Sequence, residues 1–189
     1  MWVLLDNYDS FTYILHHYLI STGHNCEVYR NDEITVEELV AIQPDRIIIS
    51  PGPETPAKAG ITMSVIQSFY QTTPILGICL GHQALGIHFG AELNHTPYPM
   101  HGKVSEVEHN GHRLFSGIPA RFDAMRYHSL SLAVPDGTGL IPIAMSTDDK
   151  QVMAMVHETY PCTGIQFHPE SIGTTDGITI IRNWAGCKY

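Results

Sequence analysis

One cysteine stands between two glycines at the point where an apolar strand pattern gives way to a helical pattern. Cys79 follows the apolar run 74–78 and precedes Leu80. A sharp strand-to-helix turn exposes one side chain at the carboxyl edge of a sheet, where α/β proteins bind ligands. Gly77 and Gly81 are expected to permit this turn and to let a substrate approach. The first N–H groups of the helix favour a thiolate and can stabilise an oxyanion, so the pattern predicts a nucleophile. A small buried cysteine beneath a helix is the alternative interpretation.

A histidine and a glutamate near the carboxyl terminus supply a candidate base. Residues i and i+2 of an extended chain share a face, so His168 and Glu170 are expected to project together. A histidine can take the proton of a thiol while a carboxylate holds the imidazole in the useful tautomer. A surface His–Glu pair without function is also common. The combination with Cys79 favours catalysis, because neither motif is specific alone.

The remaining cysteines and histidines do not suggest a second reactive centre. Cys162 lies near His168 in sequence, but no helix follows it, so we interpret it as structural. The four cysteines are far apart, and the 12 histidines show no zinc-helix spacing. We therefore expect no metal, no cofactor and no disulfide framework.

Composition limits the class of protein and its partners. The chain has 189 residues, 43% hydrophobic and 15% charged, which predicts one well-buried globular core. A net charge of −9 argues against nucleic acid, because neutralising phosphates requires a surplus of Lys and Arg. The first residues lack the basic start of a signal peptide, and no apolar stretch is long enough to span a bilayer. We therefore expect a cytosolic protein without membrane contact.

The elements that must position these residues alternate between strands and helices. This alternation predicts a single α/β domain over 1–189, with a doubly wound, mainly parallel sheet and an added antiparallel section. Asn110-Gly111 predicts a tight hairpin turn within that section. The predicted strands are 2–6, 26–30, 46–50, 74–78, 103–109, 122–128, 141–146, 151–158 and 163–168. The predicted helices are 10–22, 35–42, 61–70, 80–89 and 176–186.

Several ordered motifs resemble those of the class I glutamine amidotransferases. GICLGHQ at 77–83 and FHPE at 167–170 resemble the catalytic motifs of that family. Across essentially the whole chain, other motifs are similar to those of the small subunits of anthranilate synthase and aminodeoxychorismate synthase. They are DNYDSFT (6–12), ISPGP (49–53), MHGK (100–103), HNG (109–111), RYHSL (126–130) and GIQFHPESI (164–172). The resemblance implies a flavodoxin-like fold.

The resemblance also implies roles for individual residues. Cys79 resembles the family nucleophile, His168 the base and Glu170 the residue that orients it. Gly52 resembles a second oxyanion donor beside Leu80. The full set implied to bind L-glutamine is Pro51, Gly52, Pro53, Leu80, Gln83, Ser129 and Leu130.

A partner subunit is implied by the same resemblance. Hydrolysis of glutamine would release ammonia for a chorismate-binding synthase subunit. Free ammonia in neutral water becomes ammonium, which is not a nucleophile, so we expect a sheltered path to a second active site. The residues expected to face the partner are Asn7, Tyr8, Asp9, Ser10, Phe11, Met100, His101, Gly102 and Lys103.

Three other interpretations remain open. The chain could feed another acceptor, such as guanylate or carbamoyl-phosphate synthesis, although segments 6–12 and 100–103 argue against this. It could be a stand-alone cysteine hydrolase of a related α/β fold. It could also be a non-catalytic regulatory subunit, against which the intact set of Cys79, His168 and Glu170 argues. The choice between anthranilate and aminodeoxychorismate synthesis, or service to both, is also open.

Overall fold

Strands and helices alternate along the first half of the chain. The computed structural model describes residues 1–96 and 98–188, so Pro97 and Tyr189 of the predicted domain 1–189 lie outside the described residues. The first elements are β1 (Trp2–Asp6), α1 (Thr12–Ile20), β2 (Cys26–Arg30), α2 (Val36–Ile42), β3 (Arg46–Ile49), α3 (Thr62–Phe69), β4 (Ile75–Ile78) and α4 (Leu80–His88). They are followed by β5 (Glu92–His95), β6 (Lys103–His109), β7 (Arg121–Arg126), β8 (Leu130–Ala133), β9 (Leu140–Ser146), β10 (Val152–His157), β11 (Cys162–Ile165) and α5 (Gly177–Ala185). Short 3₁₀ turns lie at Pro56–Lys58 and Arg113–Phe115.

A nine-stranded sheet forms the centre of the molecule, in the order β2-β1-β3-β4-β11-β10-β9-β6-β7. The neighbours from β2 to β11 run parallel, and the strands from β10 onward continue antiparallel. The predicted doubly wound sheet with an antiparallel section is therefore confirmed. Strands β4 and β11 pair in parallel, with Ile78 opposite Ile165. The segments that follow these two strands therefore meet at the same edge.

The two faces of the sheet are covered by different helices. Leu4 and Ile48 pack in one apolar cluster with residues of α1 and α5. Leu5 and Ile49 pack in a second cluster with residues of α2, α3 and α4. Strands buried on both faces read as continuous apolar runs, which is the pattern of β1 and β3. Among the described residues, no helix is both long and apolar enough to cross a membrane.

The link between β6 and β7 differs from the predicted hairpin. Asn110 Oδ1 accepts a hydrogen bond from the N–H of His112, and His112 Nδ1 accepts one from the N–H of Leu114. These side-chain acceptors begin a longer loop, in which Leu114 and Phe115 are buried. The prediction of a tight Asn-Gly turn is therefore wrong. Hydrogen bonds to the side chains of Asn110 and His112, together with burial of Leu114 and Phe115, stabilise the longer connection instead.

The structure contains a second, two-stranded sheet that the sequence patterns did not predict. β5 pairs antiparallel with β8, and His95 lies opposite Leu130. The N–H of Thr96 also donates to the carbonyl of Ser129 at 2.9 Å. This small sheet therefore holds the segment that was expected to bind the substrate.

Candidate active site

Cys79 occupies a strained turn between β4 and α4. Its φ of 49° and ψ of −98° lie in a region that non-glycine residues rarely adopt. Its N–H donates to the carbonyl of Ile165 at 2.8 Å, and its carbonyl accepts from the N–H of Gln83 at 3.1 Å. Hydrogen bonds on both sides therefore hold the strained residue at the carboxyl edge of the sheet.

The glycines beside Cys79 allow close packing of protein backbone. The residues with positive φ include Cys79 but neither Gly77 nor Gly81. A Cβ on Gly77 would collide with the backbone of Gly81, and one on Gly81 would lie 2.5 Å from the carbonyl oxygen of Ile49. The glycines thus let α4 approach β3 and β4, while Cys79 itself carries the strain of the turn. We expected a substrate to approach these glycines closely. In the structure, the space beside them is filled by the protein's own backbone.

His168 and Glu170 form a buried pair beyond the end of β11. His168 Nδ1 and Glu170 Oε1 lie 2.5 Å apart, and each residue is 3% exposed. The predicted extended geometry is wrong, since β11 ends at Ile165 and the chain turns at Pro169 and Glu170. The carbonyl of His168 accepts a hydrogen bond from Thr174 Oγ1 at 2.7 Å, which stabilises the turn. The expected pairing is nevertheless present.

The charge of the imidazole depends on its neighbours. Burial lowers the pKa of His168, but the Cys79 thiolate and the Glu170 carboxylate outweigh it and hold that pKa well above the ordinary value. Because a carboxylate accepts at Nδ1, that nitrogen carries a proton and Nε2 is left for the thiol. Nε2 is buried and makes no hydrogen bond of regular geometry among the described residues. The arrangement favours a thiolate–imidazolium pair.

A cavity of about 170 Å³ lies beside Cys79. Pro51 does not line it; this proline is buried, and its carbonyl accepts a hydrogen bond from Ser50 Oγ at 2.6 Å. The other residues expected to bind glutamine do line it, namely Gly52, Pro53, Leu80, Gln83, Ser129 and Leu130. The cavity is therefore the place where those residues converge on the thiol.

Two backbone N–H groups at this cavity can stabilise an oxyanion. Leu80 is the first residue of α4, so its N–H has no carbonyl partner within the helix. Gly52 packs so tightly that a Cβ would lie 2.6 Å from the carbonyl oxygen of Asn7. Only glycine fits at that position without moving the loop, and both residues line the cavity. The geometry is compatible with the expected pair of donors.

A buried polar chain holds the segment that contains Ser129 and Leu130. Arg126 Nη2 lies 2.8 Å from Asp149 Oδ2, and Arg126 Nε donates to His128 Nε2 at 3.1 Å. A guanidinium can only donate, so His128 must carry its proton on Nδ1, which lies 2.8 Å from the carbonyl oxygen of Leu130. Burial and the charge of Arg126 lower the pKa of His128 to about 4, which keeps the imidazole neutral. The carbonyl of Leu130 is thereby fixed in place.

Comparison with known proteins identifies the family. The model of the family "Glutamine amidotransferase class-I" matches residues 3–186. An anthranilate synthase component 2 from Thermus thermophilus is 45% identical over 183 residues, which cover 96% of this chain and 90% of that protein. The chain belongs to the class I glutamine amidotransferases.

Other relatives of this amidotransferase agree with that assignment. A Bacillus subtilis protein named aminodeoxychorismate/anthranilate synthase component 2 is 41% identical over 184 residues, covering 97% of this chain and 95% of that protein. A bifunctional TrpGD protein from Thermotoga maritima is 43% identical over 184 residues, 96% of this chain, but the chain spans only 31% of its length. The crystal structure of a proposed GMP synthase subunit from Thermoplasma acidophilum has a TM-score of 0.86 at 28% identity, covering 98% of this chain and 92% of that one.

The segments expected to face a partner of the amidotransferase are only partly exposed. Asn7 is buried, because its side chain donates to the carbonyl of Ser50 and accepts from Asn31 and Thr62. Met100 is buried as well. The structure thus corrects the expectation for these two side chains, while Asp9 is half-buried. The residues that do face solvent are Tyr8, Ser10, Phe11, His101, Gly102 and Lys103.

The structure also distinguishes Cys79 from Cys162, the other cysteine considered as a nucleophile. Burial raises the pKa of the Cys162 thiol to about 12, so this cysteine stays protonated at neutral pH. Cys162 begins β11 and lines a cavity of about 750 Å³ at the amino ends of β4 and β11. That cavity is larger, but it lies at the opposite edge of the parallel sheet from Cys79. The chemistry therefore belongs to the smaller cavity.

Sequence reasoning missed two residues that shape the amidotransferase site. Tyr127 lines the cavity, and its ring centroid lies 4.9 Å from that of His168. Gln166 is fully buried and touches the sulfur of Cys79. Both lie within the motifs RYHSL and GIQFHPESI, which were the available signal for them.

Proposed function

We propose that this amidotransferase hydrolyses L-glutamine at Cys79 and passes the ammonia to a chorismate-binding synthase subunit. The observation that carries the proposal is the meeting of Cys79 with the buried His168–Glu170 pair beside a cavity of about 170 Å³. A cavity of that volume suits a substrate the size of an amino acid. The names of the relatives from Thermus thermophilus and Bacillus subtilis support the choice of partner.

The first half of the reaction breaks the side-chain amide of glutamine. The thiolate of Cys79 attacks the amide carbon, a carbon–sulfur bond forms, and the carbonyl electron pair moves to oxygen. The N–H groups of Leu80 and Gly52 stabilise that oxyanion. His168 gives the proton on Nε2 to the amide nitrogen, the carbon–nitrogen bond breaks, and ammonia leaves. A γ-glutamyl thioester remains on Cys79.

The second half of the reaction restores the enzyme. His168 is now neutral and takes a proton from water at Nε2 as the water oxygen attacks the thioester. The same two N–H groups stabilise the new oxyanion. The carbon–sulfur bond then breaks, which releases glutamate and returns Cys79 to the thiolate. Glu170 keeps the imidazole oriented through both halves.

An apolar surface around the site supports docking of a synthase subunit there. Ile172, two residues beyond Glu170, is 99% exposed, and Tyr8 and Phe11 are also exposed. Gly173 lies against Val104, itself exposed, so the segment that carries Ile172 adjoins β6. Large exposed apolar patches are uncommon on monomers and are typical of interaction sites. We assign this patch to the synthase subunit.

Tyr127 connects that surface to the catalytic histidine. Its ring centroid lies 6.1 Å from that of Phe11, 6.2 Å from that of His101 and 4.9 Å from that of His168. A partner that contacts Phe11 and His101 would therefore press on the residue that packs against His168. On this basis we propose low glutaminase activity alone and stimulation when the synthase binds.

The first experiment measures ammonia release from glutamine. The purified chain is assayed alone and then with the large subunit of anthranilate synthase or of aminodeoxychorismate synthase, each with chorismate. Stimulation by one subunit, abolished in Cys79→Ala, is expected and identifies the pathway, whereas stimulation by both indicates a shared subunit. A cytosolic location is proposed as well, and cell fractionation would test it.

Two surface variants refine the same assay. Lys103→Glu is expected to raise the synthase concentration needed for half-maximal stimulation while leaving thermal stability unchanged, because Lys103 is exposed. Lys188→Glu, an exposed lysine at the opposite end of the molecule, serves as the matched control. No glutamine turnover under any condition would refute the proposed substrate. Stimulation only by a guanylate-forming partner would replace the proposed acceptor.

A further inference from the structure

Gln166 places a buried amide against the reactive sulfur. It directly follows β11 and is 0% exposed. Its Nε2 lies 3.6 Å from Cys79 Sγ, and its Oε1 lies 3.2 Å from Gln83 Nε2. The reaction described above uses Cys79, and Gln83 lines the cavity as an expected glutamine-binding residue, but no task has been assigned to the amide that joins them.

The orientation of this amide follows from groups that cannot reverse their roles. The carbonyl of Leu130 can only accept, so the atom of Gln83 that lies 3.1 Å from it must be Nε2. That same nitrogen faces Gln166, so the facing atom of Gln166 must be its oxygen. The amide nitrogen of Gln166 is therefore the atom turned toward Cys79 Sγ. Repulsion between two donors opposes the flipped amide.

An N–H group aimed at sulfur favours the charged form of the nucleophile. A thiolate accepts hydrogen bonds better than a thiol does, and a hydrogen bond to the charged form stabilises that form. The donor itself is fully buried, where such interactions are stronger. His168 approaches the same thiolate as a cation, so the sulfur has one charged and one neutral partner.

We propose that Gln166 is a positioning residue, whose amide N–H holds the Cys79 thiolate and whose amide oxygen couples that thiolate to the glutamine-binding Gln83. The proposal rests on the proposed function, in which Cys79 is the nucleophile. Both N–H bonds of Gln83 are used by Leu130 and Gln166, so its own amide oxygen is left for the substrate. A substrate that engages Gln83 thereby also steadies the donor to sulfur.

A purely structural role for Gln166 predicts different behaviour. Its backbone N–H donates to the carbonyl of Met153 at 2.9 Å, so the main chain is held independently of the side chain. Replacing only the side-chain amide should therefore leave the turn before His168 in place. A structural role would show mainly as lost stability, whereas a positioning role changes the reactivity of the sulfur.

The experiment compares Gln166→Met with the unaltered chain. Methionine has a similar length but no side-chain N–H. If Gln166→Met does not fold, Gln166→Asn replaces it, because asparagine keeps the amide but is one methylene shorter. Iodoacetamide alkylation of Cys79 is followed by peptide mass analysis across a pH series. We expect the midpoint of this pH profile to move upward and alkylation at pH 7 to slow about three- to tenfold. For glutamine turnover with the synthase bound, kcat should fall about tenfold with less than about a threefold change in KM.

Gln151→Met is the matched control. Gln151 lies beside β10 and contacts Ser146 through its backbone, so the same substitution there should leave the alkylation profile unchanged. An unshifted profile with unchanged kcat in a folded Gln166→Met protein would overturn the inference. If the unaltered chain never hydrolyses glutamine but the alkylation profile still shifts, the proposed function fails while the positioning role stands.

Discussion

At the scale of single residues, the site depends on charges that stabilise each other. Cys79 is the largest of the influences that raise the pKa of His168, ahead of Glu170, and together they outweigh burial. Cys79→Ser replaces the thiolate by a neutral hydroxyl. We therefore expect the pKa of His168 to fall in that variant, which a titration of its imidazole signals by NMR would measure.

The control for this prediction is another buried cysteine. Cys162 lies at the start of β11, at the other end of the strand from His168, and its thiol is protonated at neutral pH. Cys162→Ser should therefore leave the pKa of His168 unchanged. An unchanged value in Cys79→Ser would show that no thiolate–imidazolium pair exists.

At the scale of elements, close approach of α4 to the sheet decides where the nucleophile lies. A Cβ at Gly81 would come within 2.5 Å of the backbone of Ile49, which β3 holds rigidly. Gly81→Ala should therefore lower the free energy of unfolding by about 1–3 kcal/mol and reduce glutamine turnover more than tenfold, because α4 must move. Urea unfolding and the ammonia assay measure the two effects.

Gly86→Ala tests whether the losses of stability and turnover expected for Gly81→Ala are specific to that position. Gly86 lies in the same helix, but the atoms nearest the added methyl belong to the side chain of Leu132, which can change rotamer, rather than to the backbone. We expect a smaller loss of stability, offset in part by the better helix propensity of alanine, and near-normal turnover. Equal damage from both substitutions would contradict the role assigned to the packing of Gly81.

Local patterns predicted most elements because their causes are local. The apolar run of β1 and the alternation of β6 predicted both strands with their observed bounds. Thr35 was expected to start a helix, and it caps α2 through a reciprocal bond with Glu38. β5 was missed, since its residues are largely exposed and its pairing with β8 depends on a partner far along the chain.

At the scale of the whole molecule, buried neutral histidines make stability depend on pH. Burial lowers the pKa of His82 to about 3, and neither ring nitrogen has a hydrogen bond of regular geometry among the described residues. An unfolded chain binds a proton at its histidines below a pH of about 6.5, whereas folded His82 does not, so acid favours unfolding. His128, with its pKa near 4, acts in the same direction.

This effect predicts how steeply the free energy of unfolding falls as the pH is lowered. Between pH 7 and pH 5, His82 alone should remove about 2 kcal/mol from the free energy of unfolding. His82→Met should lose about 2 kcal/mol less over that interval, as measured by urea unfolding at both pH values. Leu85→Met in the same helix changes no ionisable group and should keep the original slope. An unaltered slope in His82→Met would contradict the buried neutral state.

Residue types and short spacings were enough to indicate the nucleophile, its base and the α/β order. These properties follow from local chemistry: a strand-to-helix turn presents Cys79, and two residues of separation let His168 meet Glu170. Long-range packing decided which distant residues reach the site and which expected surface residues are buried. Gln166 reaches the sulfur of Cys79 across 87 positions of sequence, because β4 and β11 happen to be neighbours in the sheet. Asn7 is buried rather than exposed for the same reason, since its amide partners lie on distant segments that only the folded chain brings together.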